Sequence, residues 1–338
     1  MSANGKKEMK TIGILTSGGD APGMNAVVRS VTRTALFNGM NVKGIFKGYS
    51  GLMNSLMQDM TLRSVSDILQ RGGTMLYSAR CPEFKDDAGV EIGKQNCLAS
   101  GIDGLVVCGG DGSFRGARDL SLKGIPCIGV PGTIDNDIAS SEYTIGFDTA
   151  VRTVVENIDR LRDTSQSHDR CSVVEVMGRH CGDIALHSGI CCGAVSVLVP
   201  EIEFDIDRDI IQKMKKTMNS GKNHFIVIVA EGVTSVRFGD EPGMSAHQLA
   251  KYIEEQTGVE SRATVLGHIQ RGGTPSPRDR VVASQMGHYA VELLRKGIGN
   301  RVVAMKDNHI VDYDILEALE MKKTINMELY RTCNEISI

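Results

Sequence analysis

No apolar run in the chain approaches the roughly 20 residues that a bilayer-spanning helix requires, so no membrane role through helices is expected. The first ten residues, MSANGKKEMK, lack an apolar core and read as a polar leader, not as a secretory signal. An excess of one charge is also missing: 38 Lys and Arg stand against 41 Asp and Glu, a formal net charge of -3. That balance offers no global case for nucleic-acid or anionic-membrane binding, so phosphate recognition has to come from local arginines. The nine cysteines contain no CxxC pair, although Cys191 and Cys192 are adjacent. Odd in number and placed in or beside apolar runs, they read as reduced thiols in a cytoplasmic protein, mostly core filler, and not as a zinc or disulfide framework. Neither the dinucleotide fingerprint GxGxxG nor the Walker motif GxxxxGK[ST] occurs, which leaves the common nucleotide folds unsupported.

What is present is the composition of an ordinary globular protein, 338 residues with 41% hydrophobic and 23% charged, long enough for two domains. Short β-rich runs alternate with longer helical patterns, which predicts an α/β fold with mostly parallel strands. Strands are expected at Thr11–Thr16, Asn41–Phe46, Gly104–Cys108, Cys127–Val130, Cys171–Val176, Val195–Val199, Phe225–Val229 and Ala263–Leu266, with another around Arg301–Met305. Amphipathic helices are expected over Met24–Phe37, Thr149–Thr164 and Ser276–Lys296.

The strand ends are more informative than the strands. Apolar runs repeatedly stop at glycine beside a charged group: Gly18-Gly19-Asp20, Gly109–Ser113 (GGDGS), Gly178-Arg179, Glu231-Gly232 and Arg271-Gly272-Gly273. In open α/β sheets, loops at the carboxyl ends of strands are where ligands bind. Turns explain each glycine singly but not the recurrence of charge at one sheet edge, so these loops are expected to form one site. Pro22 suits the first turn of a helix whose exposed amides could hold an anion. Asp111, between glycines, fits a nucleotide phosphate with its metal, and carboxylate ligands favour magnesium over zinc. Asp135 and Asp137 are two apart, so an extended segment would point both the same way. Repulsion between neighbouring carboxylates favours a proton on one of them, which suits a general base, and the Thr133 hydroxyl could donate to a transferring phosphoryl group.

The segments LTSGGDAPGMNA, RGGT…SAR, GGDGS, PGTIDNDI, TIGFDTA, RLRDT, VVEVMGR and ATVLGHIQRGG, in this order over nearly the whole chain, resemble the bacterial-type ATP-dependent 6-phosphofructokinases. The resemblance implies two Rossmann-like three-layer α/β domains with mostly parallel sheets and an active-site cleft between them. An ATP-binding domain would span 1–145 and 269–322, and a fructose 6-phosphate domain 146–268 and 323–338. Asp135 would be the base on the sugar 1-hydroxyl, Asp137 a second supporting acid, and Asp111 the acid associated with Mg2+. Gly19, Tyr49, Arg80, Cys81, Gly110, Asp111, Gly112 and Ser113 would form the nucleotide site, with ATP as co-substrate. Thr133 and Arg179, together with Arg80, fall among the catalytic positions that stabilise the transferring group. Ile134, Met177, Gly178 and Glu231 match the sugar site, and Arg170, Arg262, His268, Ile269, Gln270 and Arg271 the 6-phosphate cradle. Because Arg170 and Arg262 come from a neighbouring subunit in that family, a homotetramer is implied.

Gly112 and Gly132 stand where the pyrophosphate-dependent branch tends to carry aspartate and lysine, so ATP is the expected donor and pyrophosphate the alternative. A non-catalytic phosphosugar-binding regulator is the other alternative, but Asp111, Asp135 and Asp137 are all retained. For an effector site taking ADP or phosphoenolpyruvate, Arg29, Arg33, Ser66, Asp67, Arg162, Lys222 and His224 match. Leu62, Val195 and Ser220 depart from an arginine, a glutamate and a lysine, so weakened or altered regulation is expected.

Overall fold

The structure, a computed structural model, describes residues 9–235 and 244–337; most of the polar leader lies outside them. In chain order the strands are β1 (Thr11–Thr16), β2 (Asn41–Ile45), β3 (Met57–Asp59), β4 (Gly104–Gly109), β5 (Cys127–Pro131), β6 (Cys171–Val176), β7 (Ser196–Leu198), β8 (Phe225–Ala230), β9 (Ser261–Val265), β10 (Arg301–Lys306) and β11 (His309–Asp314). The chain divides into two units, Met1–Thr149 with Arg271–Lys323, and Ala150–Gln270 with Thr324–Ile338. The α/β class and the parallel sheets are as the sequence predicts.

The first unit is built on a seven-stranded sheet of order β11-β10-β5-β4-β1-β2-β3. Its inner strands β5, β4, β1 and β2 are parallel, whereas β3 and β11 run antiparallel at the edges. β1, β4 and β5 are buried throughout, as strands covered on both faces must be. From β1 the chain steps outward to β2, then returns to place β4 on the other side of β1, with Thr16 opposite Cys108. The loops after β1 and β4 therefore leave from a topological switch point, the place where open α/β sheets bind ligands.

The second unit carries a parallel four-stranded sheet of order β7-β8-β6-β9. β6 lies between β8 and β9, so the loops after all three open at neighbouring positions on one sheet edge. β8, FIVIVA, is fully buried, and Val173 and Val174 of β6 pack beside it in the core.

Every expected strand is present, most with ends shifted by a residue or two. The helices over Met24–Phe37, Phe147–Ser167 and Pro277–Arg295 match the amphipathic stretches, the last capped by Ser276. Two strands were not expected. β3 has only three residues, and β11 (HIVDYD) is a partly exposed edge strand paired with β10 through the Asp307-Asn308 turn. All nine cysteines are free; seven are buried, Cys81 is half-buried and Cys191 is exposed. No helix among the described residues is long and apolar enough to cross a membrane.

Candidate active site

In the first unit, the loop after β1 is tied to the end of β4 and to the segment that carries Ser78. Ser17 N–H donates to the Cys108 carbonyl at 2.9 Å, and the Ser78 hydroxyl donates to the Gly18 carbonyl at 2.5 Å. Gly19 lies under the Arg271 guanidinium, which would have to shift to admit a Cβ and whose Nη1 donates to the Asp20 carbonyl at 3.4 Å. Thus Arg271, expected in the phosphate cradle, stands on the Gly19 loop within this unit. Gly110 caps the helix Asp111–Leu122, which starts directly at the end of β4. Its first amides are the kind that receive an anion at a helix start. Asp111 sits in that first turn, part-exposed and paired with Arg115 one turn on at 2.9 Å.

Tyr49 holds this loop from below. It is buried, stacks on Phe84 with ring centroids 4.2 Å apart, and donates its hydroxyl to the Ser113 carbonyl at 2.5 Å. Burial drives its hydroxyl pKa well above the usual range, so it remains a donor. Cys81 is half-buried, with its thiol 3.5 Å from the Met53 sulfur, and Arg80 is exposed.

The segment after β5 differs from the extended form that the spacing of its aspartates suggested. The backbone bends at Ile134-Asp135, and Asn136 adopts a left-handed φ of 52°. A two-residue spacing across that bend does not set a shared direction for Asp135 and Asp137. Asparagine tolerates this conformation, and its side chain uses it: Oδ1 accepts from Thr144 N–H at 3.0 Å, and Nδ2 donates to the Glu142 carbonyl at 3.4 Å. The Thr144 hydroxyl donates to the Thr133 carbonyl at 2.7 Å. Thr133 Oγ1 in turn accepts from Asp135 N–H at 3.2 Å, which leaves its own hydroxyl hydrogen available to another acceptor. Thr133, Ile134 and Asp135 are buried, and Asp137 is half-buried.

The second unit brings a further set together at the ends of β6, β8 and β9. Arg179 N–H donates to Glu231 Oε1 at 2.7 Å, and Met177 N–H to Gln270 Oε1 at 3.2 Å. Gly178 has φ 138°, and Gly232 touches the Arg179 carbonyl so closely that a Cβ is excluded. Arg179 itself has φ 58°, an uncommon state for a residue with a side chain, and its side chain is exposed. His268 and Ile269 are exposed on the turn after β9, beside buried Gln270. Arg170 and Arg262 both pair with Glu260, at 2.9 and 2.5 Å. The two arginines hold the Glu260 carboxyl below its ordinary pKa, the Arg170 hydrogen bond contributing most.

The effector candidates lie in both units. Arg29 and Arg33 are half-buried on the helix Met24–Phe37; burial, then repulsion from Arg33, lowers the Arg29 pKa. The Ser66 hydroxyl donates to the Leu62 carbonyl at 3.2 Å, and Asp67 has φ 55°. In the second unit Arg162 donates to the Cys192 carbonyl, and Lys222 lies 5.9 Å from the Phe225 ring centroid. Burial and then the Arg162 charge lower Lys222; burial, Lys222 and Arg162 lower His224. Val195 is core, Leu62 is exposed, and the Ser220 hydroxyl donates to the Thr217 carbonyl.

Sequence reasoning passed over Asn136, Thr144 and Asn25. Asn25 Oδ1 accepts from Met75 N–H at 2.7 Å while its amide donates to the Arg71 and Gly72 carbonyls, shaping the RGGT loop. Polar residues inside glycine-rich motifs were the available signal.

Gly- and Asp-rich loops with a buried acid at strand ends of the first unit, and Arg179 at a strand end of the second, are the kinds of group that a phosphotransferase uses. The phosphofructokinase family model matches residues 11–294. The chain is 55% identical over 331 residues to an ATP-dependent 6-phosphofructokinase of Bacillus pumilus, covering 98% of this chain and 100% of that protein. It is 54% identical, with the same coverage, to the enzyme of that name from Bacillus subtilis. Phosphofructokinase from Saccharomyces cerevisiae superposes with a TM-score of 0.86 at 32% identity, over 97% of this chain and 48% of the longer yeast chain. A pyrophosphate-dependent phosphofructokinase from Marinobacter aquaeolei has a TM-score of 0.83 at 22% identity over 94% of this chain and 86% of that one, a likeness of fold. The chain belongs to the phosphofructokinase family.

Proposed function

We propose that Asp135 is the general base of the ATP-dependent 6-phosphofructokinase reaction that this chain carries out. In that reaction the γ-phosphoryl group of ATP passes to the 1-hydroxyl of fructose 6-phosphate, giving fructose 1,6-bisphosphate and ADP. One observation carries the assignment. Asp135 is a buried carboxylate in the segment after β5, beside the Thr133 hydroxyl, and β5 pairs with β4, which leads directly into the Asp111 helix.

Phosphoryl transfer asks a protein for positioning and charge neutralisation more than for covalent chemistry. Asp135 would take the proton of the 1-hydroxyl as its oxygen attacks the γ-phosphorus, and Asp137 would support the same loop. The Thr133 hydroxyl, with Arg179 and Arg80, would donate to the equatorial oxygens as negative charge shifts toward the leaving ADP. Gly19, Tyr49, Cys81 and the Gly110–Ser113 loop would hold the nucleotide, with amides at the helix start facing its phosphates. Met177, Gly178 and Glu231 would bind the sugar hydroxyls. Arg170, Arg262, His268 and Arg271 would bind the 6-phosphate, flanked by Ile269 and Gln270. Arginine suits that task because its planar fork can meet a phosphate with two parallel hydrogen bonds.

Mg2+ fits the donor chemistry present. Asp111 presents a part-exposed carboxylate between two glycines, and no group of three or more His, Cys, Asp or Glu among the described residues could hold a metal alone. Mg2+ would therefore share Asp111 with phosphate oxygens, its usual habit, and supply charge neutralisation of the triphosphate.

Self-association as a homotetramer, with Arg170 and Arg262 serving a neighbouring subunit, completes the reading. The pairing of both arginines with one half-buried carboxylate fits it, since an incoming phosphate could replace that partner. Arg162, Lys222 and His224, with Arg29, Arg33, Ser66 and Asp67, would take ADP or phosphoenolpyruvate. Free thiols throughout are consistent with a reducing, cytoplasmic setting.

The test is a coupled assay of fructose 1,6-bisphosphate formation by wild type and Asp135→Ser, with ATP or pyrophosphate at equal Mg2+. ATP-driven turnover should fall by about 10²–10⁴-fold in the variant, the size of a general-base contribution. Near-wild-type turnover would remove Asp135 from its role.

A further inference from the structure

The loop that bears Asp135 is braced by a segment with no assigned role, and that segment hangs from one buried carboxylate. Asp279, in the first turn of the helix Pro277–Arg295, is 0% exposed. Its Oδ1 accepts from the Tyr143 hydroxyl at 2.5 Å and from Gly146 N–H at 2.7 Å. Oδ2 accepts from Thr149 N–H at 3.0 Å, the Thr149 hydroxyl at 2.5 Å and the Ser276 hydroxyl at 3.4 Å. Every group around the carboxylate is a donor. An amide in its place would turn an N–H₂ group toward donors and leave some of them unmatched.

The residues held by Asp279 flank Thr144 and Ile145, which hold the catalytic loop. Thr144, next to Tyr143, grips the loop through its hydroxyl on the Thr133 carbonyl and its N–H on Asn136. Ile145 N–H donates to the Pro131 carbonyl at 2.9 Å, and Gly132 and Ile145 form an isolated bridge. Gly146 packs where a Cβ would come within 2.7 Å of Ala21 and 3.3 Å of Ile134. Gly23, at the start of the first helix, abuts Ile145 and the Asp279 Cβ. One carboxylate thus anchors the contacts on both sides of Asp135, and none of its own partners is a residue assigned to bind substrate.

We propose that Asp279 is a positioning residue for the transfer step, setting the place of Asp135 through the Tyr143–Thr149 segment. The proposal rests on the reading of Asp135 as base. Loss of the anchor should slow chemistry more than it weakens binding, because sub-ångström misplacement of a reacting group is felt in kcat.

The experiment compares Thr149→Val, Thr149→Ser, Asp279→Asn and Asp135→Ser as full-length enzyme, each checked for thermal unfolding and for ADP binding. Thr149→Val removes one donor to the carboxylate, whereas Thr149→Ser keeps it. Thr149→Val should lower kcat on the order of 10- to 100-fold with KM for both substrates within about threefold, and Thr149→Ser should restore most of the loss. Asp279→Asn should show the same split, more strongly. Wild-type kcat in folded Thr149→Val, or a loss that Thr149→Ser does not rescue, would overturn the proposal. So would loss that only follows the fraction of folded enzyme. Where Asp279→Asn does not fold, the Thr149 pair still decides. Retained turnover in Asp135→Ser would instead remove the base assignment, so the two failures are distinguishable.

Discussion

Gly132 is packed against the Cys108 sulfur: a Cβ at position 132 would stand 2.7 Å from Sγ and 3.2 Å from the Met24 methyl. Gly112 is the opposite case, with no protein atom within 4 Å of its absent Cβ. The two glycines that distinguish the ATP-dependent pattern therefore have different physical grounds. At 132 the protein core excludes a side chain. At 112 the fold would accept one, and the glycine leaves that space open at the start of the Asp111–Leu122 helix. Gly132→Ala should cost about 1–3 kcal/mol as overpacking, read as a lower midpoint in thermal or urea unfolding. Gly112→Asp should unfold like wild type yet raise KM for ATP at least tenfold, since a carboxylate would face the nucleotide phosphates. Equal stability losses at the two sites would contradict this division.

Asn136 combines a strained backbone with a tethering side chain, and two substitutions separate these contributions. Asn136→Gly relieves the left-handed φ but deletes the bonds to Thr144 and Glu142. Asn136→Ala deletes the same bonds and adds a conformational penalty of about 1 kcal/mol. Both should lower kcat, and alanine should be the less stable of the two by that margin. The check is kcat with the urea midpoint for each variant. Equal midpoints would place the cost in the side chain alone.

Much of this architecture is legible in the sequence because its signals are local. The buried runs TIGILT, CSVVEV and FIVIVA announce inner parallel strands, and glycine beside charge marks where each ends. β3 and β11 lack that signal: one has only three residues, and the other alternates at a partly exposed edge where pairing with β10 makes the strand. The acids of the site are visible as residue types, but their direction is not. Asp135 and Asp137 take their places from Asn136 and from Thr144, which lies eight residues beyond Asn136. Asp279 is less legible still. In PRDR it looks like one more surface charge, and only the tertiary structure folds Tyr143, Gly146 and Thr149 around it.

Tyr49 offers a test of indirect support for nucleotide binding. Tyr49→Phe keeps the stack on Phe84 and removes only the bond to the Ser113 carbonyl. A typical hydrogen bond contributes about 1 kcal/mol, so unfolding should shift by that order. KM for ATP should rise by a few-fold, about the same free energy expressed at the loop, with KM for fructose 6-phosphate unchanged. If only the unfolding midpoint moves, Tyr49 supports the core and not the loop.

The cationic cluster of Arg162, Lys222 and His224 predicts a specific pH dependence. Burial, then Lys222 and Arg162, lower the His224 pKa below its ordinary value of 6.5. The folded state therefore binds fewer protons at His224 than the unfolded state in the window between 6.5 and the lower folded pKa. This contribution to stability is present above 6.5 and is lost as pH falls through the folded value. His224→Gln should flatten that part of the profile. An anion bound among the three groups reverses the sign of the local field, raises the His224 pKa and takes up a proton. Phosphoenolpyruvate or ADP affinity for wild type should accordingly increase from pH 8 to pH 6, and His224→Gln should lose much of that increase. Titration calorimetry at several pH values in buffers of different ionisation enthalpy measures both affinity and proton uptake. Binding with no proton uptake in this range would mean that the anion does not sit beside His224, and that the cluster is a solvated surface feature of the second unit.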